Sequence, residues 1–419
     1  MALPLTPRLT ARAPSETLRH ASFGASGMAW ADIEALTASP HVKLVAVAEV
    51  DQSKLKDVRE KHRDVRIYAD GRDLLDKEKE LDSVNVSTPD HMHALFALRS
   101  IERGLHVYCQ KPLTHTLYEA RVLTEKAASS KQLVTQMGIQ IHAHEYHRMV
   151  VRLIHDGHIG KVKQVHSWCG KGWGDRGPRP NRADPVPQGF DWNLWLGGAA
   201  ERPFVAGYYH PFVWRKRLDF GTGTFGDMAC HILDPVFTSL SLTVPMAVQS
   251  DGPAPGPDSW DPDVQVSFDF PGTERTAGSI KIHWYNGSRR PAADVLTHLE
   301  NQKAWDSGTI YLGEKGVLYS PYIGRPVLLP VKDFRDFDYP KVGNENHYLQ
   351  FVDACCGRGK TATPFSYAGP LTEVVLLGCL ATHFPSQKLE WDAARLKVTN
   401  HPAANNYLTT NYRRGWEVK

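Results

Sequence analysis

Between residues 18 and 140, short apolar runs of strand length alternate with segments of helical period, and this alternation restricts the fold more than any other feature of the chain. The pattern predicts strands over 18–23, 42–50, 66–68, 83–87, 105–109 and 133–137. Helices are expected through Ala31, Ile33 and Leu36 and over 53–62, 72–77, 91–103 and 116–130. Parallel strands need long crossovers and helices supply them, so the run reads as α/β, a Rossmann-type doubly wound parallel sheet.

The texture changes after residue 140. A helix is expected over 144–156 and a strand over 163–169, followed by an irregular Gly-, Pro- and Trp-rich insertion over 170–198, of the length that tends to be functional. Strand-like runs at 246–250, 264–270, 277–284, 308–313 and 316–320 then succeed one another without helices. They predict a C-terminal α+β domain with a large, mainly antiparallel sheet. Helices over 347–356 and 371–383 and a Pro- and Asn-rich extended tail close the chain. The expected organisation is an extended arm (1–17), a nucleotide-binding domain (18–140), a substrate and oligomerisation domain (141–370), and a helix and tail packing back on the body (371–419).

Apolar residues make up 42 % and charged residues 23 % of the 419, ordinary globular usage that excludes whole-chain disorder and collagen-like repeats. With 49 Lys and Arg against 46 Asp and Glu the charge is nearly balanced, which argues against nucleic acid as a partner. No apolar run reaches the roughly 18 residues of a membrane span. The six cysteines lack C-x-x-C spacing, so reduced thiols are expected rather than a zinc ribbon or a disulfide framework. As it stands the sequence reads as cytoplasmic, and as exported if a leader once preceded Met1.

Three segments carry chemistry. Gly24-Ala25-Ser26-Gly27-Met28-Ala29 lies between the first strand and helix, where backbone amides at a helix N-terminus hold a pyrophosphate. Ser26 departs from the dinucleotide fingerprint, and taken alone the turn also suits any tight α/β crossover. Glu49 ends the second strand, where an acid accepts hydrogen bonds from ribose hydroxyls and repels a 2′-phosphate; NAD is expected over NADP, with Lys54 as a counter-candidate for a phosphate. The second segment is Ser87-Thr88-Pro89-Asp90-His91-Met92-His93 together with Cys109-Gln110-Lys111-Pro112. Both stretches follow carboxyl ends of strands and so face the ligand crevice, and Lys111, held by Pro112, is drawn toward acid/base use. In the third, Phe220 to Asp234, Asp227 and His231 are i and i+4 on one helix face. They read as an acid and imidazole aimed together, as half a metal site, or as a helix-surface pair. His142, His144 and His147 read as a solvated helix start, and no metal is expected.

Taken in order, G-x-S-G-M-A, A-E-V-D, S-T-P-D-H-x-H, Q-K-P-L and G-D-M-A-C-H-I-L-D resemble the Gfo/Idh/MocA oxidoreductases over nearly the whole chain. Phe190 to Gly197, Tyr209 to Phe212 and Lys388 to Asp392 resemble its long-insertion branch. The resemblance implies a homo-oligomeric, NAD(P)-dependent enzyme in which Lys111, Asp227 and His231 form the catalytic group. Gln110 stands where the family's E-K-P motif has Glu, and the first strand, Leu18 to Phe23, is unusually polar for a central parallel strand.

The leading expectation is a dehydrogenase acting on a sugar, glycoside or polyol hydroxyl carbon. Gly24, Ser26, Gly27, Met28, Glu49, Ser87, Thr88, Pro89, His91, His93, Gln110 and Lys111 form the cofactor set. Trp173, Trp195, Tyr209 and Trp214 are candidates to stack on a sugar face, each serving packing equally well, with His210 and Arg215 binding hydroxyls or a carboxylate. Two competing readings are an NAD-dependent glycoside-cleaving enzyme with no net redox change and a non-catalytic sugar- or nucleotide-binding protein.

Overall fold

The computed structural model describes residues 17–419, so the arm expected over 1–17 lies, but for Thr17, outside the described residues. The N-terminal alternation is realised as β1 (Leu18–Phe23), α1 (Met28–Thr37), β2 (Val42–Ala48), α2 (Lys56–Lys61), β3 (Arg66–Tyr68) and α3 (Gly71–Lys77). It continues with β4 (Ser83–Val86), α4 (His93–Glu102), β5 (His106–Gln110), α5 (Leu117–Ser129) and β6 (Thr135–Gly138). These strands form one parallel sheet in the order β3-β2-β1-β4-β5-β6. In this doubly wound order the winding reverses between β1 and β4, and a crevice opens outside their carboxyl ends.

The polar residues of β1 are accommodated by pairing. His20, 1 % exposed at the centre of the sheet, has Nδ1 2.8 Å from Ser83 Oγ and Nε2 2.9 Å from Asn85 Oδ1, both on the neighbouring β4. Asn85 Nδ2 donates to Ser87 Oγ, which in turn donates to Asp32 on α1. A buried polar group costs little once hydrogen-bonded, so a polar central strand stands if its neighbour supplies partners.

The second half contributes α6 (Glu145–His155), β7 (Val162–Cys169), α7 (Trp192–Leu196), α8 (Gly223–Ile232), α9 (Asp234–Ser239), β8 (Ala247–Ser250), β9 (Gln265–Phe270) and β10 (Thr276–Asn286). After these come α10 (Ala293–Thr297), β11 (Ser307–Gly313), β12 (Val317–Pro321), β13 (Val327–Leu329), α11 (His347–Cys355), α12 (Phe365–Ala381), β14 (Lys388–Asp392) and β15 (Lys397–Val398). The sheet runs β13-β12-β11-β7-β10-β9-β8-β14-β15, antiparallel except for the β7–β10 pair.

Several elements depart from the sequence pattern: the short helix α7 lies inside the insertion expected to be irregular, and α10 interrupts the run of strands expected to lack helices. The tail is not wholly extended chain but extends the sheet as β14 and β15, with Leu389 and Trp391 turned inward. Helix α12 begins six residues before the expected start, at Phe365, and carries Pro370 inside it. Burial of Phe365 and Ala368, both fully enclosed, outweighs the hydrogen bond that proline removes. Helix α12 packs across α5 of the first sheet, and Arg121 of α5 donates to Glu373 of α12 at 2.8 and 2.9 Å. Helix α8 packs on α12 and β7, and α12 in turn reaches the first half through α5.

Burial holds His20, His166 and His347 down to about 4 and His91 down to about 3. An unfolded chain takes up these protons below the ordinary 6.5, so the stability they permit is complete above that pH and is lost as pH falls toward the folded values. Each histidine contributes roughly 1.4 kcal/mol per pH unit in that window. Asp32, pushed up to about 6 by burial, and Glu49 and Asp90, also raised by burial, oppose this. Urea unfolding is therefore expected to show lower stability near pH 5 than near pH 7; equal stabilities would contradict it.

Candidate active site

The turn after β1 is shaped by two glycines with different constraints. Gly24 has φ +102°, and a Cβ there would meet Ala29 Cβ and the Ser87 carbonyl oxygen at 2.9 Å. It lets the end of β1 pass against the turn after β4. Gly27, the N-cap of α1, has φ +60° and open space where a side chain would lie. The Glu49 carboxylate accepts from Ala25 N and from Asp51 N at 3.0 Å each, which ties the end of β2 to this turn and leaves a lone pair on each oxygen for a ligand hydroxyl. Burial raises the Glu49 carboxyl above its ordinary value.

These groups open onto a cleft of about 390 Å³ that continues to Lys111, Trp195, Trp214, Arg215 and Asp227. Lys111 follows β5 and Asp227 lies on α8. Lys111 Nζ donates at 2.7 Å to both Asp227 Oδ1 and the Asp227 carbonyl, and each of the two side chains is 13 % exposed. Arg215 Nε stands 3.4 Å from the same Oδ1. Burial alone would push the Asp227 carboxyl up, but the charges of Lys111 and Arg215 hold it well below the ordinary carboxylate range. Asp227 is thus ionised at any working pH, with Oδ2 available. Its helix neighbour His231 is pushed down to about 3 by burial and then by the Lys111 charge, so its imidazole is neutral. Among the described residues the His231 Nδ1 has no hydrogen-bond partner.

Behind Lys111, the Gln110 amide donates at 3.0 and 2.9 Å to the carboxylate of Asp32, which is 0 % exposed. Ser87 Oγ donates to the same carboxylate at 2.7 Å and the Tyr348 hydroxyl at 2.9 Å. A carboxylate therefore stands behind the lysine although position 110 is Gln: it comes from α1 instead of β5. Burial pushes Asp32 up to about 6 against the pull of these three donors.

Of the sequence candidates, Gly24, Ser26, Gly27, Met28, Glu49, Ser87, Thr88, Pro89, His93, Gln110, Lys111, Trp195, His210, Trp214, Arg215 and Asp227 line this one cleft. His91, Trp173, Tyr209 and His231 do not. His91 is packed against Trp195 and Phe220 with Nε2 3.2 Å from the Trp195 carbonyl. Tyr209 is 1 % exposed within the aromatic cluster of the insertion, its hydroxyl unpartnered. The Trp173 amide donates to Thr224 Oγ1 and its ring faces the Arg215 guanidinium at 5.9 Å. His231 lines a separate cavity with His147 and Tyr322. His210 lies at the β2 end, Nε2 2.9 Å from Asp51, on the Glu49 side of the cleft rather than beside Lys111. The sequence reading missed Asp32, whose only advance signal was a charge on the inward face of α1, and it left Asp90, part of the Ser87–His93 segment, out of the candidate set, although Asp90 lines the cleft, buried and accepting from Thr222 Oγ1 at 2.8 Å.

The two glycines predict separable defects. Gly24→Ala is expected to cost about 2–4 kcal/mol of stability, from the backbone clash and the left-handed strain. Gly27→Ala is expected to cost only about 1 kcal/mol while its methyl enters open space at the cleft. Thermal unfolding and NAD titration check this: the account expects Gly24→Ala to fail mainly in the first and Gly27→Ala mainly in the second, and the reverse pattern would count against it.

Comparison with known proteins places this geometry. The oxidoreductase family model described as an NAD-binding Rossmann fold matches residues 18–138, and the family's C-terminal alpha/beta domain matches residues 150–272. A levoglucosan dehydrogenase of Pseudarthrobacter phenanthrenivorans is 24 % identical over 167 residues, 40 % of this chain and 34 % of that protein. An inositol 2-dehydrogenase of Burkholderia multivorans is 31 % identical over 125 residues, 30 % of this chain and 37 % of that protein. The matched stretches thus span well under two thirds of these relatives' lengths. The WlbA dehydrogenase of Chromobacterium violaceum, crystallised with NADH and UDP-GlcNAcA, has the same fold, with a TM-score of 0.67 at 16 % identity over 92 % of this chain and 99 % of that one. The chain belongs to the Gfo/Idh/MocA family of oxidoreductases, with an NAD-binding Rossmann domain followed by the family's C-terminal α/β domain.

Proposed function

We propose that this oxidoreductase acts on the hydroxyl-bearing carbon of a sugar, glycoside or polyol, with Lys111, Asp227 and His231 as its acid/base group. The observation that carries the reading is the Lys111–Asp227 pair in the wall of the cleft that the Gly24–Gly27 turn and Glu49 also line. The open space at Gly27 and the free lone pairs of Glu49 fit a dinucleotide: the turn amides would hold the pyrophosphate and Glu49 the adenosine ribose. A nicotinamide bound there supplies the hydride-accepting and hydride-donating carbon.

The chain's own groups supply the remainder. Two of the three protons of the Lys111 ammonium are given to Asp227, and the third is free to donate to the reacting oxygen. Charge developing on that oxygen is stabilised by a cation already fixed in place, the economical form of electrostatic catalysis. Asp227 Oδ2 accepts from a substrate hydroxyl and orients it. In reduction that third proton passes to the substrate carbonyl oxygen as the hydride arrives, and in oxidation the free amine of Lys111 takes the hydroxyl proton as the hydride leaves, with His231, neutral, one helical turn on from Asp227. Trp195 and Trp214, each with one face already covered, by Trp192 and by Arg215 respectively, line the cleft wall with small apolar patches, and Arg215 offers its guanidinium to a polar substituent. Known relatives named for inositol and levoglucosan support the polyol and sugar class.

Incubation with NAD⁺ and a panel of polyols, sugars and glycosides tests this through absorbance of NADH. Turnover is expected for at least one member of the panel, and Lys111→Met is expected to lower kcat by about 10³-fold. Undiminished turnover in Lys111→Met would overturn the assignment. Glycoside cleavage without NADH accumulation would mark the redox-neutral variant of the same site.

A further inference from the structure

Away from the cleft, His142, His147 and Asp234 converge from the segment before α6, from α6 itself and from the start of α9. The histidines expected to form a solvated helix start are therefore drawn inward. Only His144 behaves as a helix start, its Nδ1 accepting from Tyr146 N as the N-cap of α6. Asp234 is 0 % and His147 7 % exposed. One donor atom from each of the three lies within 4.8 Å of the others.

The geometry is not that of a completed hydrogen-bond network. His142 Nδ1 and His147 Nε2 both stand 2.8 Å from Asp234 Oδ2. His142 is hydrogen-bonded to that carboxylate, but His147 Nε2, in ion-pair contact with the same oxygen, makes no directed hydrogen bond among the described residues and is buried. A buried nitrogen in that condition costs free energy that a ligand would recover. Two imidazole nitrogens and a carboxylate oxygen meeting at one point are the donor set of a three-ligand divalent transition-metal site. The Tyr367 hydroxyl donates to the other oxygen, Asp234 Oδ1, fixing the carboxylate as outer-shell partners of metal ligands do. Beside the cluster lies a cavity of about 20 Å³, room for one water, lined by His147, His231 and Tyr322.

We propose that His142, His147 and Asp234 bind one divalent transition-metal ion of the zinc class, with a water in the adjoining cavity as a further ligand. The ion ties α6 to the junction of α8 and α9 and so braces the helix that carries Asp227. Among the described residues the Nδ1 of His231, one helical turn on from Asp227, is also unpartnered, and it lines the same cavity. The inference stands on these residues alone and does not depend on the substrate assignment.

The test is metal analysis of the purified full chain, followed by calorimetric titration of the chelator-stripped protein with ZnCl₂ and, separately, MnCl₂. One equivalent bound at micromolar or tighter affinity with a rise in Tm is expected. His147→Gln is expected to weaken binding by about 100-fold or more while NAD titration and circular dichroism stay unchanged. His147→Cys retains a zinc-capable donor and is expected to bind zinc but not manganese. Absence of saturable binding by the wild-type protein, or binding that survives both His142→Gln and His147→Gln, would overturn the proposal.

Discussion

The ion pair between Lys111 and Asp227 is the constraint on which the rest of the architecture turns, because its two partners belong to different halves of the chain. Lys111 is delivered by β5 of the parallel sheet and Asp227 by α8, which packs on the second sheet through β7. Two charges held at 13 % exposure are costly unless they meet, and removing one partner of such a pair costs about 3–5 kcal/mol. The pair therefore fixes the docking of the two halves, with the α12–α5 packing and the Arg121–Glu373 pair bracing it from behind. The same contact leaves one lysine proton and one carboxylate oxygen facing the cleft, so the interaction that fixes the docking also presents the chemical groups.

A second buried carboxylate supports the first arrangement. Asp32 gathers donors from α1's neighbours on β4 and β5 and from α11, and through Gln110 it reaches the residue next to Lys111. Its hydrogen-bond chain runs back through Ser87 and Asn85 to His20. The polar first strand and the Gln-for-Glu replacement, which look like separate irregularities in the sequence, are two ends of one network. A buried network of this kind is tolerated only when every member is paired, and here each named member is.

Much of this was legible in advance. Alternation of period gave the parallel sheet, and the strand-end positions of Ser87, Lys111 and Glu49 put them in one crevice, because in a parallel doubly wound sheet every such end opens on the same side. The helical spacing of Asp227 and His231 was equally plain, yet it did not reveal that the two side chains line different cavities. What a sequence conceals are pairings across long separations. Asp32 meets Gln110 and Tyr348, Asp234 meets His142 and Tyr367, and nothing local distinguishes these acids from surface ones. The early start of α12 was hidden for a related reason: burial of Phe365 overrode the local signal of Pro370.

The most direct test of the account is to denature the purified protein, identify any released small molecule by mass spectrometry, and titrate the protein with NAD and with NADP if none is found. The account predicts NAD or NADH in the released fraction, or saturable NAD binding that NADP does not match because of Glu49. Release of NADP, or a protein that neither releases nor binds a nicotinamide dinucleotide, would contradict it.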